Sequence, residues 1–254
     1  MPTFLEYEKP LLTAMIQCAT PEECIQKIKA SIAGGADALG VQLCKLEIPY
    51  RTPENIRKIF EACDGKPIYV TSYPHGASVN FTDEQCAELL LLALDCGGTL
   101  FDVRGDMFDK SPYYELTENP EAIQKQKELI DKIHRRGGEV LMSSHTFKDL
   151  SIEENLRIAK AHEERGADVI KIVNRIGNKD SIPTQIASIQ KIMQRTNKKL
   201  LFLVSGEGRV IRYIGPNFGV CMYLCVSEHG EMDTPEQPLL SDLVAIRDHM
   251  NFNL

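Results

Sequence analysis

The sequence predicts a closed (β/α)8 TIM barrel, and three observations carry that prediction. Eight apolar, β-branched runs alternate with eight helical patterns, most of those patterns open on a capping residue or close on glycine, and 254 residues suit eight such units. A doubly wound parallel sheet shares the alternation; the count of eight favours the barrel. The chain therefore reads as one barrel domain over residues 1–254, with no low-complexity segment and no interdomain linker.

Each element has a local reason. The first strand, residues 11–17, is followed by Thr20-Pro21, a capping side chain ahead of a first-turn proline, which opens a helix over 21–33. The second strand, 36–43, precedes Thr52-Pro53 and a helix over 53–63. The third, 67–73, leads to a helix over 82–95 that Gly97-Gly98 stops. Its run from Leu89 to Leu94 suits either burial on the barrel wall or an interface. The fourth strand, 99–104, is followed by the longest irregular stretch before a helix, 105–116; then Asn119-Pro120 starts a helix over 121–136 and Gly137-Gly138 ends it. Strands over 139–145, 167–173 and 199–205 are followed by helical patterns over 152–165, 182–195 and, more briefly, 210–213. The eighth strand covers 220–227 and the last helix 239–250. Gly35-Ala36-Asp37 and Gly166-Ala167-Asp168 repeat the same join of helix end to apolar strand.

Composition narrows the function classes. With 43% hydrophobic and 26% charged residues the chain is an ordinary globular one, and a net charge of -7 argues against a nucleic-acid partner, which needs clustered Lys and Arg. The longest apolar run, Leu89 to Leu94, is far short of a membrane span, and Met1 to Glu6 show no basic flank with an apolar run behind it. No membrane association and a cytoplasmic location are expected. The eight cysteines contain no Cys-x-x-Cys. Cys221 and Cys225 share a strand face but stand about 13 Å apart along it, so reduced, buried thiols are expected, with no metal.

In a parallel barrel the polar residues at the carboxyl ends of the strands converge on one mouth. Here they are Gln17, Gln42, Tyr73 with His75, Asp102 with Arg104, Ser143, Ser144, His145, Lys171, Ser205 and Ser227. Lys171 interrupts the apolar run Gly-Ala-Asp-Val-Ile-Lys-Ile-Val (166 to 173), and a lysine so placed needs a countercharge, a cavity or a substrate. A desolvated amine can attack a carbonyl and form a Schiff base. His145 ends the preceding strand, so an imidazole and an amine reach the same cavity. The imidazole can then take a proton from the carbon beside the imine or return one to a leaving group. Taken singly, each has an ordinary alternative, a satisfied histidine or a lysine reaching for the rim. The Gly-rich exit from strand seven, Ser205 to Arg212, suits an anion site with Arg212 as its cation. Gln237, within Asp233 to Gln237, can close the mouth as a loop; the same segment reads equally as a helix start capped by Thr234 with Pro235 in its first turn. No glycine stretch matches a P-loop or dinucleotide fingerprint, and no cofactor is expected.

These residues resemble the type I 3-dehydroquinate dehydratase family. Ser-Ser-His-Thr-Phe (143 to 147) is similar to its Ser-x-His-x-Phe, and Gly-Ala-Asp-Val-Ile-Lys-Ile (166 to 172) to its Gly-Ala-Asp-x-x-Lys-Ile. Gly208 to Arg212 resembles its Gly-x-x-Ser-Arg, Phe218-Gly219 its Phe-Gly turn, and Thr234 to Gln237 its Ala-Pro-Gly-Gln lid. The resemblance spans nearly the whole chain. It implies a lyase of the shikimate pathway, serving aromatic amino acid biosynthesis, that dehydrates 3-dehydroquinate to 3-dehydroshikimate or acts on a related cyclic keto acid. It further implies a small-molecule carboxylate substrate, a homodimer, Lys171 as the imine lysine, His145 as general base and acid, Arg212 as carboxylate clamp and Gln237 as a lid contact.

The departures lie at the strand ends. Where the family has Glu-x-Arg-x-Asp in strand two, this chain has Gly40-Val41-Gln42-Leu43-Cys44. Thr-x-Arg in strand three becomes Thr71-Ser72-Tyr73, and the acid that orients the histidine is missing near Ala77. Strand four has Asp102-Val103-Arg104 for Asp-x-Glu; Asp233 and Ile211 stand where the family has serines. Gln42, Tyr73 and Arg104, with His75, are thus expected to line a rewritten substrate pocket. Two alternatives accompany the lyase reading: a class I aldolase-like enzyme holding a phosphorylated sugar between Arg104 and Arg212, and a catalytically altered homologue that binds a metabolite.

Overall fold

A computed structural model describes residues 3–249. Eight parallel strands run in the order β7-β6-β5-β4-β3-β2-β1-β8, where β1 is Leu11–Ile16, β2 Ala38–Gln42, β3 Ile68–Thr71, β4 Leu100–Arg104, β5 Glu139–His145, β6 Val169–Ile176, β7 Lys199–Gly206 and β8 Met222–Cys225. A Leu200–Val220 bridge and the Cys221 N–H donated to the Leu200 carbonyl (2.8 Å) join β7 to the chain entering β8, so the sheet is a nearly closed (β/α)8 barrel. The helices α1 (Pro21–Ala33), α2 (Pro53–Glu61), α3 (Asp83–Asp95), α4 (Pro120–Arg135), α5 (Ile152–Arg165), α6 (Ile182–Met193), α7 (Ile211–Ile214) and α8 (Leu240–His249) alternate with the strands. No described helix is long and apolar enough to cross a membrane.

The caps are where the sequence puts them. Thr20, Thr52 and Asn119 each accept a backbone N–H of the first turn, ahead of a first-turn proline, and Gly166 ends α5 in the left-handed conformation that only glycine adopts freely. Leu89, Leu90 and Ala93 of α3 pack on the barrel wall. Strand six is longer than its apolar run, because Asn174, Arg175 and Ile176 continue the ladder against Val204, Ser205 and Gly206. Asn174 is buried and satisfied there by Thr146, Asn155 and Gln185. Strands two and eight are shorter than predicted, their ends turning into loops. Thr234 to Gln237 forms a turn, and α8 starts only at Leu240; of the predicted last helix, Met250 lies outside the described residues.

Inside the barrel the two-residue strand period selects the lining. Met15, Tyr69, Leu141, Val169, Leu201, Met222 and Leu224 fill the lower part and Tyr73, His145, Lys171 and Ser205 stand above them. Gly40 is part of this packing: a Cβ there would lie 2.2 Å from Met15 Sδ and 3.3 Å from the Tyr69 ring. Strand two thus gives up a side chain to Met15 and Tyr69, a physical reason for one of its departures from the family pattern.

Candidate active site

The barrel mouth encloses a cavity of about 270 Å³ whose lining includes Lys171, His145, Tyr73, Gln42, Arg212 and Gln237. Six of the seven site residues expected from the sequence are therefore brought together. The seventh, Arg104, is not. Its guanidinium is held by Asp106 (2.9 Å) and Asp83, and it does not line the cavity. Burial disfavours the Arg104 charge, but these two carboxylates more than offset it and raise its pKa. The strand-four departure is an internal ion-pair cluster, which also removes the paired-arginine phosphate site that favoured the aldolase alternative.

Lys171 projects from β6 with its backbone in register between Ser143 of β5 and Leu201 of β7. Its side chain is almost fully buried, and Nζ lies 3.1 Å from Asp102 Oδ2, 3.0 Å from Tyr69 Oη and 3.3 Å from Tyr73 Oη. Asp102 is the hub of this cluster. Its Oδ2 also accepts the hydroxyls of Tyr69 and Tyr73 (2.5 Å for Tyr73), while Oδ1 accepts that of Ser143 (2.5 Å). Complete burial works against the Asp102 charge; the positive charge of Lys171, with the neighbouring His145 ring and these donors, outweighs it and holds the carboxyl below the usual range. Burial first, and the Asp102 charge second, push both phenols well above theirs, so both keep their protons.

His145 closes β5, beside this cluster. Its ring lies edge-on to Tyr73, with centroids 5.7 Å apart, and stacks on Phe147 at 6.3 Å. Nδ1 is 2.7 Å from Glu115 Oε2, which also accepts the His145 backbone N–H at 2.6 Å. With Nδ1–H committed to a carboxylate, a neutral imidazole presents Nε2 as its basic nitrogen. Glu115 is a residue that the sequence reading missed. The family pattern suggests an acid near Ala77, whereas here it comes from the loop after β4. Tyr114 (φ 65°) and Glu115 (φ 48°) are consecutive non-glycine residues in the left-handed region, and Phe147, against the same ring, is a third (φ 50°). Such strain is held only where the surroundings over-determine it, and it concentrates at functional sites. The length of the 105–116 loop was the one visible signal.

The upper cavity is less satisfied. Arg212 is 7% exposed and its Nε donates to the Val204 carbonyl at 3.0 Å; among the described residues it forms no salt bridge. Burial lowers its pKa, opposed only by the charge of Glu236. Thr71 Oγ1 is buried without a hydrogen-bond partner and is a second residue that sequence reasoning missed. Gln237 accepts an amide N–H of Gln17 at 3.2 Å, and Glu236 accepts the Gly206 N–H, so the turn that carries both is tied across the mouth. His75, at the rim, has its pKa lowered by burial and then by the charge of Lys45. Among the described residues no group of three or more His, Cys, Asp or Glu is placed to hold a metal ion.

This arrangement can add an amine to a carbonyl, hold an anion opposite it and move a proton at an adjacent carbon. The type I 3-dehydroquinase family matches residues 13–251. No curated protein matches the chain. Among solved structures it is similar to the type I 3-dehydroquinate dehydratase of Clostridium difficile, determined with covalently modified comenic acid (TM-score 0.80, 16% identity, 95% of this chain and 92% of that one). The 3-dehydroquinate dehydratases of Geobacillus kaustophilus (0.79, 14%, 95% and 91%) and Enterococcus faecalis (0.79, 17%, 99% and 100%) share the fold. The match over residues 13–251 shows that the chain belongs to the type I 3-dehydroquinase family, whose members are dehydratases, carbon–oxygen lyases.

Proposed function

We propose that this chain dehydrates 3-dehydroquinate, or a closely related cyclic keto acid, through a Schiff base on Lys171. The observation that carries the reading is the buried Lys171 amine lining the mouth cavity, with His145 and an arginine that forms no salt bridge among the described residues lining the same cavity. The Lys171 amine adds to the ketone, and loss of water leaves a protonated imine that withdraws electrons from the neighbouring carbon. His145 Nε2 removes a proton from that carbon. The hydroxyl one carbon further on leaves with the proton that His145 returns, and hydrolysis of the imine releases the enone and the lysine. Glu115 orients the imidazole and stabilises it when charged. Arg212 pairs with the substrate carboxylate, which supplies the direct ion pair that Glu236, bonded to Arg175, does not. Gln42, Thr71, Ser205 and Gln237 present polar groups to the ring hydroxyls.

Borohydride reduction in the presence of 3-dehydroquinate should leave a stable adduct on Lys171, located by peptide mass spectrometry, and turnover should raise absorbance in the enone band. Absence of both with 3-dehydroquinate and related keto acids contradicts the reading. The eight free cysteines suit a reducing compartment, so we place the enzyme in the cytoplasm. The homodimer rests on the family resemblance and is checked by native mass.

A further inference from the structure

We propose that Tyr73 is a catalytic residue of imine formation and hydrolysis, passing a proton between Asp102 and the oxygen of the carbinolamine on Lys171. The inference rests on the Schiff-base reading above. Position 73 corresponds to an arginine in the family pattern, so the phenol is a feature of this chain.

The geometry is that of a relay. Tyr73 Oη is 2.5 Å from Asp102 Oδ2 and 3.3 Å from Lys171 Nζ, and its ring lines the cavity. The carbinolamine oxygen is separated from Nζ by one carbon, so when it faces Tyr73 the hydroxyl 3.3 Å from Nζ is within hydrogen-bond reach of it. Among the described residues the His145 ring hydrogen-bonds to Glu115 and not to the Lys171–Asp102 cluster. Asp102 is a buried carboxylate in contact with both the amine and the phenol.

The protons balance without any further reactant. The Lys171 ammonium gives a proton to the Asp102 carboxylate, which leaves a neutral amine and a carboxylic acid. The amine nitrogen forms a bond to the carbonyl carbon, the carbonyl π electrons go to oxygen, and the nitrogen's extra proton moves to that oxygen through the Tyr73 hydroxyl, which takes one proton as it gives another. Tyr73 then protonates the carbinolamine hydroxyl, water departs with the C–O electrons, and the nitrogen lone pair completes the protonated imine. The tyrosinate recovers its proton from Asp102, whose carboxylate now faces the imine cation. One ketone and one ammonium have become one iminium and one water, and every protein group, the Lys171 nitrogen included, has its starting charge.

The test is exchange of the ketone oxygen with 18O-labelled water, measured beside single-turnover borohydride trapping, because both report imine formation independently of dehydration. In Tyr73→Phe both rates should fall about 100-fold, while the adduct still forms on Lys171 at long times. Substitution of Tyr73 by 3-fluorotyrosine, which keeps the hydroxyl but makes it more acidic, should restore exchange and move its pH profile to lower pH. Exchange and trapping in a folded Tyr73→Phe protein within twofold of wild type overturn the relay and leave the Schiff base standing. An unshifted profile with fluorotyrosine overturns the relay even if Tyr73→Phe does not fold. Absence of exchange and of adduct in the wild type overturns both readings.

Discussion

Two buried arginines, one at the end of strand four and one just beyond strand seven, have the same exposure within a percentage point and opposite surroundings. Arg104 (6% exposed) is clasped by Asp83 and Asp106, and their charges raise its pKa; Arg212 (7%) makes one bond to a backbone carbonyl, and burial lowers its pKa. A buried charge with two carboxylates belongs to the architecture. A buried guanidinium that pairs with none cannot simply lose its proton, so it is left free to form its ion pair with a ligand. Lys171 combines the two conditions, since it has its carboxylate in Asp102 and also opens onto the cavity. Countercharge and access to the cavity together, rather than burial alone, distinguish the reactive groups from the structural ones.

The largest expected effect is at Lys171. Lys171→Met should abolish borohydride trapping and lower kcat/KM by at least four orders of magnitude, roughly 5.5 kcal/mol; residual turnover within tenfold of wild type would rule out covalent catalysis. Arg104→Met comes next and should act on stability alone. It strands two carboxylates in a buried pocket, a change worth about 3 to 5 kcal/mol. Chemical denaturation should show that loss, with kcat/KM per folded molecule within a few-fold of wild type. A large rise in KM with unchanged stability would return Arg104 to the substrate site.

Glu115→Gln tests whether the imidazole depends on its acid. The amide keeps the shape but not the charge, and kcat should fall about 100-fold with KM little changed, since Glu115 stands behind His145 rather than in the cavity lining. An unaffected kcat would make Glu115 a loop anchor. Arg212→Met, the same substitution as at Arg104, should give the opposite signature. Stability should change far less than at Arg104, because only the Val204 carbonyl and no carboxylate loses its partner, and KM for a carboxylate substrate should rise about 10- to 100-fold, the worth of a charge-assisted hydrogen bond at about 1.5 to 3 kcal/mol. Equal stability losses at the two arginines would remove the distinction between them.

Arg104 and Glu115 mark where sequence reasoning stopped. The barrel was legible because strand period, caps and helix-stopping glycines are local signals; the strand-end rule delivered Lys171, His145, Tyr73 and Gln42 to one cavity, and the Gly-rich exit of strand seven and the segment after strand eight added Arg212 and Gln237. That rule cannot see that Arg104 meets Asp83, 21 residues away on α3. Nor can it see that two left-handed residues turn Glu115 onto a histidine 30 positions later. Asn174 is a third case, where polar residues read as the end of strand six yet continue it because buried amides satisfy one another. Each depends on partners distant in sequence, and local pattern carries no record of them.

The histidines on either side of Ser144 give the smallest and most finely graded test. His145 has Glu115; His162 of α5 is fully buried with only the Ser144 hydroxyl at 3.0 Å, and its Nδ1 has no partner. Burial first, then the Arg165 charge, lower its pKa from 6.5 to about 3. Imidazole can escape the penalty that Arg212 cannot, by remaining neutral. The unfolded chain takes up a proton as pH falls through 6.5 while the folded one does not until about 3, so this group's stabilisation is complete above 6.5 and declines below it. The slope is about 1.4 kcal/mol per pH unit. His162→Gln, which can still meet Ser144, should remove that part of the acid sensitivity between pH 6 and 4, measured as the difference in denaturation free energy between the two proteins. Parallel pH profiles would mean that His162 reaches a countercharge on protonation, and that burial without an acid does not by itself separate the two histidines.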